Sequence, residues 1–167
     1  EDTYKYQIYW SPDSKKLLWG DKRQRLRYVD IETKNFKDVA QAKRWEITNY
    51  GWSPDSKWIA YSKPEEQSLD KIYLYSVEKD ETHDVTDGWY FSSGPVFSSD
   101  GKYLFFTSDR DFNPTIGGVE FNYSYQDMER IYLVTLSKSV ESPFKPKSDE
   151  VSIKEAKPKS EEKKKEG

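Results

Sequence analysis

The sequence predicts an all-β fold: a partial β-propeller of about three four-stranded antiparallel blades, followed by a disordered, charged C-terminal tail. Four observations carry this prediction. One turn is written three times, as Trp10-Ser11-Pro12-Asp13-Ser14-Lys15, as Trp52-Ser53-Pro54-Asp55-Ser56-Lys57 and, with changes, as Phe97-Ser98-Ser99-Asp100-Gly101-Lys102. Each copy precedes an apolar strand: Leu17-Leu18-Trp19, Trp58-Ile59-Ala60-Tyr61 and Tyr103-Leu104-Phe105-Phe106. The copies recur about every 40–45 residues, the period of a propeller blade. Aromatic residues make up 16% of the chain, with 6 Trp and 13 Tyr, as suits strands packed face to face.

The turn has a readable chemistry. Proline presets φ for the second position of a tight turn. The aspartate that follows accepts hydrogen bonds from nearby backbone N–H groups. The next residue is Ser or Gly, and Gly101 can take a positive φ without steric cost. The third copy lacks Pro but keeps Asp and gains Gly, so it uses the other half of the same turn chemistry. The aromatic before each turn (Trp10, Trp52, Phe97) is expected to plug the space between neighbouring blades; its rival role is to stack on a ligand.

The blades follow in order at about 4–42, 45–88 and 90–138, within a propeller region 1–138. In the first, strands are expected at 4–10, 15–20, 25–31 and 36–40, with turns at 20–22 and 32–35. In the second, they are expected at 45–52, 57–62, 71–77 and 81–86, with a loop at 63–70. Both faces of 71–77 are apolar, with Ile72 and Leu74 on one and Tyr73, Tyr75 and Val77 on the other. A strand covered on both faces reads this way. In the first blade Arg25 and Arg27 share a face, which predicts poorer cover there. In the third, strands are expected at 90–97, 102–108 and 130–136, with an insertion at 109–129 and no fourth strand after Leu136. Residues 139–167 are rich in Lys, Glu, Ser and Pro and are read as a disordered linker, because they cannot bury enough apolar surface to offset ordering entropy.

Three blades do not close a ring, since propellers have about 4–8. The expectation is therefore a piece of a larger propeller that ends at its C-terminal boundary. The chain starts at Glu1 rather than Met, as a processed chain or a fragment does. A net charge of −3 argues against a nucleic-acid partner. No apolar run approaches the roughly 18–20 residues of a membrane helix. The absence of Cys excludes disulfides and thiol chemistry.

Candidate chemistry is sparse. The single histidine, His83, neighbours Asp84 on a strand, so their side chains point to opposite faces and do not make a triad; a surface role is expected. Nucleophile-elbow, phosphate-loop and zinc-peptidase motifs do not occur. Asp109, Asp111, Asn113 and Glu120 have the spacing of a calcium loop, but Pro114 takes the place of the required Gly and no helices flank it. No catalytic, cofactor or metal residue is assigned. In an up-and-down blade alternate connections lie on opposite faces. The repeated turns therefore share one face, and 109–129 shares the other with 63–70, 41–44 and 86–90. The insertion carries Phe112, Phe121, Asn122, Tyr123 and Tyr125. A long aromatic loop on a rim docks another domain, gates a channel mouth or packs over its own blade.

The repeated Ser-Pro-Asp-Ser/Gly-Lys turns resemble those of TolB-like propellers. The third repeat is more specific. Phe97 through Thr107-Ser108-Asp109-Arg110, the long insertion, Arg130-Ile131-Tyr132-Leu133-Val134-Thr135-Leu136 and Ser142-Pro143-Phe144 are similar to the end of the second propeller of tricorn-type proteases. The resemblance covers about residues 1–150. It implies a large serine peptidase in which two propellers precede a PDZ domain and catalytic domains, and in which the propellers filter and channel peptides. That family's catalytic Ser and His lie outside the propellers, so no catalytic residue carries over. The implied function is a non-catalytic segment guiding peptides to a distant active site. The implied partners are peptide substrates, adjacent blades, the catalytic domains and further copies of the parent. The implied compartment is the cytoplasm, or the periplasm if an export signal stands upstream. The alternatives are a TolB-like module that binds proteins, and the propeller of a prolyl-oligopeptidase-like enzyme, which the tail disfavours.

Overall fold

The computed structural model describes residues 2–116 and 123–146, and every regular element among them is a strand. Strands β1 (Lys5–Trp10), β2 (Lys16–Asp21), β3 (Arg25–Asp30) and β4 (Phe36–Gln41) form the first antiparallel sheet, in that order. Strands β5 (Tyr50–Trp52), β6 (Trp58–Lys63), β7 (Lys71–Ser76) and β8 (Glu81–Asp84) form the second. The third has the order β13-β10-β9, from β9 (Ser92–Phe97), β10 (Tyr103–Asp109) and β13 (Glu129–Thr135). A separate hairpin, β11 (Pro114–Ile116) with β12 (Tyr123–Tyr125), stands in the insertion.

Each first turn is closed by the same hydrogen bonds. Ser11 Oγ donates to Asp13 Oδ1 (2.6 Å) and accepts from the Lys16 N–H (2.9 Å), while the Lys15 N–H donates to Asp13 Oδ1 (3.1 Å). Ser53 and Asp55 repeat the pattern with Trp58 and Lys57 (2.5, 2.9 and 3.1 Å). Ser98 and Asp100 repeat it again with Tyr103 and Lys102 (2.6, 3.0 and 3.1 Å). The fourth turn residue takes positive φ in all three: Ser14 at 60°, Ser56 at 61° and Gly101 at 68°. Serine therefore bears the left-handed conformation twice, at a steric cost that glycine avoids. The Ser11 hydroxyl holds Asp13 below the usual carboxylate range against the opposing effect of burial, helped by the Lys15 N–H and nearby lysine charges.

Between the first and second sheets lies one core: Leu18, Leu26, Val39, Ala42, Ile47, Tyr50, Ile59, Tyr61, Tyr73 and Tyr75. Between the second and third lies another, built on Ala60, Ile72, Leu104 and Phe106 with Leu74, Phe97, Tyr132 and Val134 against it. The two faces of β7 divide between them as the sequence predicts, since Tyr73 and Tyr75 enter the first core and Ile72 and Leu74 the second. The sheets are thus stacked blades, and β6 and β7 are covered on both sides. The outward face of the first blade is open, with Ile8, Trp10 and Phe36 more than half exposed. Val96 and Ile131 are likewise exposed on the far face of the third. Arg25 pairs with Asp21 (2.7 Å) and Arg27 with Asp38 (2.5 Å), and the Arg27 guanidinium also lies over the Phe36 ring on that open face.

One expectation is corrected. Residues 45–49 are not strand; only Tyr50–Trp52 pairs with β6. Ala42 and Ile47 are buried in the first core, so this segment packs as the crossing between blades instead of extending the inner strand. The third blade has the three strands expected of it, and no fourth follows among the described residues. After Thr135 the chain turns, with the Val140 N–H bonded to the Ser137 carbonyl and Tyr103 Oη donating to the Glu141 carbonyl. Residues 147–167 of the expected linker lie outside the described residues.

The crossing is fixed by a close approach at Gly20. Tyr50 Oη accepts from the Gly20 N–H (2.9 Å) and donates to the Gln7 carbonyl (2.6 Å), which ties β5 to β1 and β2 across the blade boundary. A Cβ at Gly20 would stand 2.4 Å from the Ile47 carbonyl oxygen and 3.2 Å from the Tyr50 ring. Gly20→Ala is expected to lower stability by about 2 kcal/mol, the scale of an overpacked core, in equilibrium denaturation.

Candidate functional site

The residues that could act on a partner gather on the face opposite the repeated turns. The blade crossings 42–49 and 86–91, the loop 64–70 and the insertion meet there. Lys43 Nζ pairs with Glu66 (3.0 Å), and Arg44 Nη1 donates to the Glu65 carbonyl (3.4 Å). The Leu69 N–H donates to the Gly88 carbonyl and the Ser92 N–H to the Asp70 carbonyl. A shallow depression of about 560 Å³ lies between them, lined by residues including Arg44, Leu69 and Trp89.

The loop 64–70 is anchored from below. Tyr73 Oη donates to Glu65, Lys63 Nζ pairs with Glu65 (3.0 Å), and that ammonium lies 4.8 Å from the Tyr73 ring centroid. Burial pushes the Glu65 carboxyl up, but the hydrogen bonds from Tyr73 and Lys63 outweigh it and hold the group below its ordinary range. Burial and the Glu65 charge push the Tyr73 phenol up, so it remains a donor. Tyr61, stacked on Tyr73 at 5.4 Å, is pushed up to about 12 by burial.

Arg110 stands at the root of the insertion. Its guanidinium lies over three rings, at 4.7 Å from Tyr132, 5.6 Å from Tyr90 and 5.9 Å from Phe106. Its Nε donates to Ser108 Oγ (3.2 Å), and Ser108 shares a buried hydrogen bond with Ser92 (2.9 Å). No carboxylate pairs with Arg110 among the described residues. The aromatic stack and the serine pair hold the charge in place, and its edge faces solvent. Further out, Phe112 packs on Tyr125 at 5.7 Å, and Trp45 and Trp89 are 66% and 80% exposed. Exposure of this kind on one rim marks an interaction surface.

The sequence-predicted candidates separate. His83 lies on β8 with an exposed side chain, against the Trp58 ring and 3.9 Å from Glu81. Asp111 is held by Arg130 (2.8 Å), and Asp109 sits in β10 opposite Glu129. Among the described residues no group of three or more His, Cys, Asp or Glu side chains gathers. Glu120, Phe121 and Asn122 lie outside the described residues, as does the side chain of Tyr123. Trp52 and Phe97 are the expected plugs, seated in the first and second cores, while Trp10 is 57% exposed on the open face. Sequence reasoning missed Arg110, because its three rings come from segments far apart in the chain.

Antiparallel sheets stacked side by side, with short turns on one rim and a decorated loop rim on the other, define a β-propeller. The chain belongs to the family of tricorn protease second beta propeller domains, whose family model matches residues 1–167. The tricorn protease homolog of Saccharolobus solfataricus is 31% identical over 140 residues, which is 84% of this chain and 13% of that protein. The crystal structure of the tricorn protease superposes with a TM-score of 0.78 at 21% identity, over 83% of this chain and 14% of that one. TolB from Acinetobacter baumannii shares the fold, with a TM-score of 0.58 at 21% identity over 83% of this chain and 31% of that one. The chain thus spans about a seventh of the tricorn relatives it matches.

Arg130 pins the insertion from its C-terminal side. It bonds Asp111 through Nε, and the Asp127 carbonyl (2.9 Å) and carboxylate (3.0 Å) through Nη1. Arg130→Ala is expected to speed limited proteolysis within 109–129 several-fold while leaving the cleavage rate in the first two blades unchanged.

Proposed function

We propose that this stretch is a non-catalytic propeller segment of a tricorn-like serine peptidase and guides peptides to an active site elsewhere in the parent protein. The observation that carries the reading is the loop rim, which exposes Trp89, Phe112 and Tyr125 and holds the guanidinium of Arg110 over Tyr90, Phe106 and Tyr132. Such a rim offers sequence-tolerant contacts to an extended chain: rings for apolar side chains and a cation for carboxylates and backbone carbonyls. In this reading the parent works in the cytoplasm, with its catalytic domains and further copies of itself as partners. A second reading, a TolB-like module docking a folded protein, is favoured by the shared propeller architecture.

The test compares substrates of two lengths in the full-length parent. With Trp89→Ala and Phe112→Ala combined, kcat/KM for peptides of about 20 residues is expected to fall severalfold, while that for a short chromogenic substrate stays unchanged. If both substrates are hydrolysed as in the wild type, or both lose equally, the guiding role is wrong. A lost partner complex with intact turnover of long peptides would support the docking module instead.

A further inference from the structure

The two spaces between blades, on the side of the repeated turns, are built from equivalent positions but are not equally filled. In the first, the Tyr28 ring packs edge-on against Trp52 (5.9 Å), and Trp52 Nε1 donates to the Tyr9 carbonyl (3.4 Å). Ser56 Oγ accepts from the Asp13 N–H (3.0 Å), so the turn of the second blade is tied to that of the first. In the second space each of these three side chains is replaced by a smaller one. Leu74 stands where the first has Tyr28, Phe97 where it has Trp52, and Gly101 where it has Ser56. The Phe97 ring has no N–H to donate and Gly101 no hydroxyl to accept, so neither tie can form. The result is a cavity of about 490 Å³, open at the turn rim.

Its lining is specific. Leu74, Phe97 and Leu136 make an apolar floor, Trp58 a wall, and Asp55 and Asp100 stand at the mouth. Asp55 Oδ1 is used by its own turn, accepting from Ser53 Oγ and the Lys57 N–H, and no cation pairs with Asp55 among the described residues. Asp100 meets the exposed Lys102 at 3.4 Å. In the first space the position of Trp58 holds Lys16, whose charge helps to keep Asp13 ionised. In the second space the internal cation has been exchanged for an indole ring, and indole is the side chain best suited to face a cation.

We propose that the space between the second and third blades is a binding site for an organic cation, an ammonium or guanidinium group on an apolar stem. The stem lies on Leu74, Phe97 and Leu136, and the head sits between the Trp58 face and the carboxylates of Asp55 and Asp100. A few placed polar groups over an apolar lining, in a cavity of this size, are the makings of a small-ligand site. The cation is either a free amine or the side chain of a lysine or arginine in a polypeptide. The site does not depend on the peptide-guiding role of the opposite rim.

The full-length protein is titrated calorimetrically at fixed ionic strength with n-hexylammonium and with its neutral counterpart 1-hexanol. Wild type is expected to prefer the ammonium by about tenfold or more. Asp55→Asn, whose amide oxygen still accepts the turn hydrogen bonds, is expected to remove most of that preference. The double variant Leu74→Tyr with Phe97→Trp installs the side chains of the first space. It is expected to abolish saturable binding with an unchanged or raised thermal midpoint, which separates filling from unfolding. Equal affinity for ammonium and alcohol, or ammonium binding that survives the filled space, would overturn the site. A lysine tripeptide blocked at both ends distinguishes the sources. Tighter binding than hexylammonium identifies a polypeptide side chain, weaker binding identifies a free amine, and both support the site.

Discussion

A serine hydroxyl placed between a carboxylate and a backbone N–H is the interaction on which the rest depends. Ser11, Ser53 and Ser98 each donate to the aspartate two residues on and accept from the N–H five residues on. The bond pair does two things at once. It satisfies the polar groups of a tight turn beneath which strands are about to be buried, and it sets the register of the two inner strands of each blade. Register decides everything downstream, because a slip of one residue would exchange the two faces of a strand. With the turn in place, Ile59 and Tyr61 face the first blade while Ala60 faces the third.

A blade so registered still cannot bury itself. Each sheet presents apolar side chains on both faces, and only neighbours can cover them, which is the logic of repeat proteins. The second blade shows the covered condition and the other two show half of it. Trp52 and Phe97 are seated between blades, whereas Trp10, at the same repeat position, is exposed because no described blade lies beside it. Cohesion between blades is also local chemistry. Tyr50 and Ser56 each carry a hydrogen bond across the first boundary, and their replacement by Pro95 and Gly101 removes both of these ties from the second. The division of labour between the rims follows from the connectivity. Short repeated turns crowd one rim, and the longer crossings and the insertion have room only on the other.

Much of this was legible in the sequence. The triple turn announced the blades, the apolar faces of residues 71–77 announced a strand covered on both sides, and the alternation of connections between opposite faces placed the insertion on the rim with 63–70, 41–44 and 86–90. What was not legible depended on distance in the chain. Residues 45–49 look like strand by their aromatic and β-branched content, yet Ile47 is drawn into the core beside Gly20, and tertiary packing overrides local preference there. The Arg110 stack joins Tyr90, Phe106 and Tyr132, which no local pattern connects. The worn third repeat could be read as relaxed turn chemistry. Only the fold shows that its reductions in size fall at one boundary and add up to a cavity.

The most direct measurement is the unfolding free energy of three single variants of the full chain, Ser11→Ala, Ser53→Ala and Ser98→Ala, beside Ser139→Ala as a surface comparator. If the hydroxyl closes each turn as described, each of the three costs about 1–2 kcal/mol, because a carboxylate and a backbone N–H lose their partner together. The comparator should stay within about 0.5 kcal/mol. Turn variants no more destabilised than Ser139→Ala would contradict the claim that these serines organise the blades.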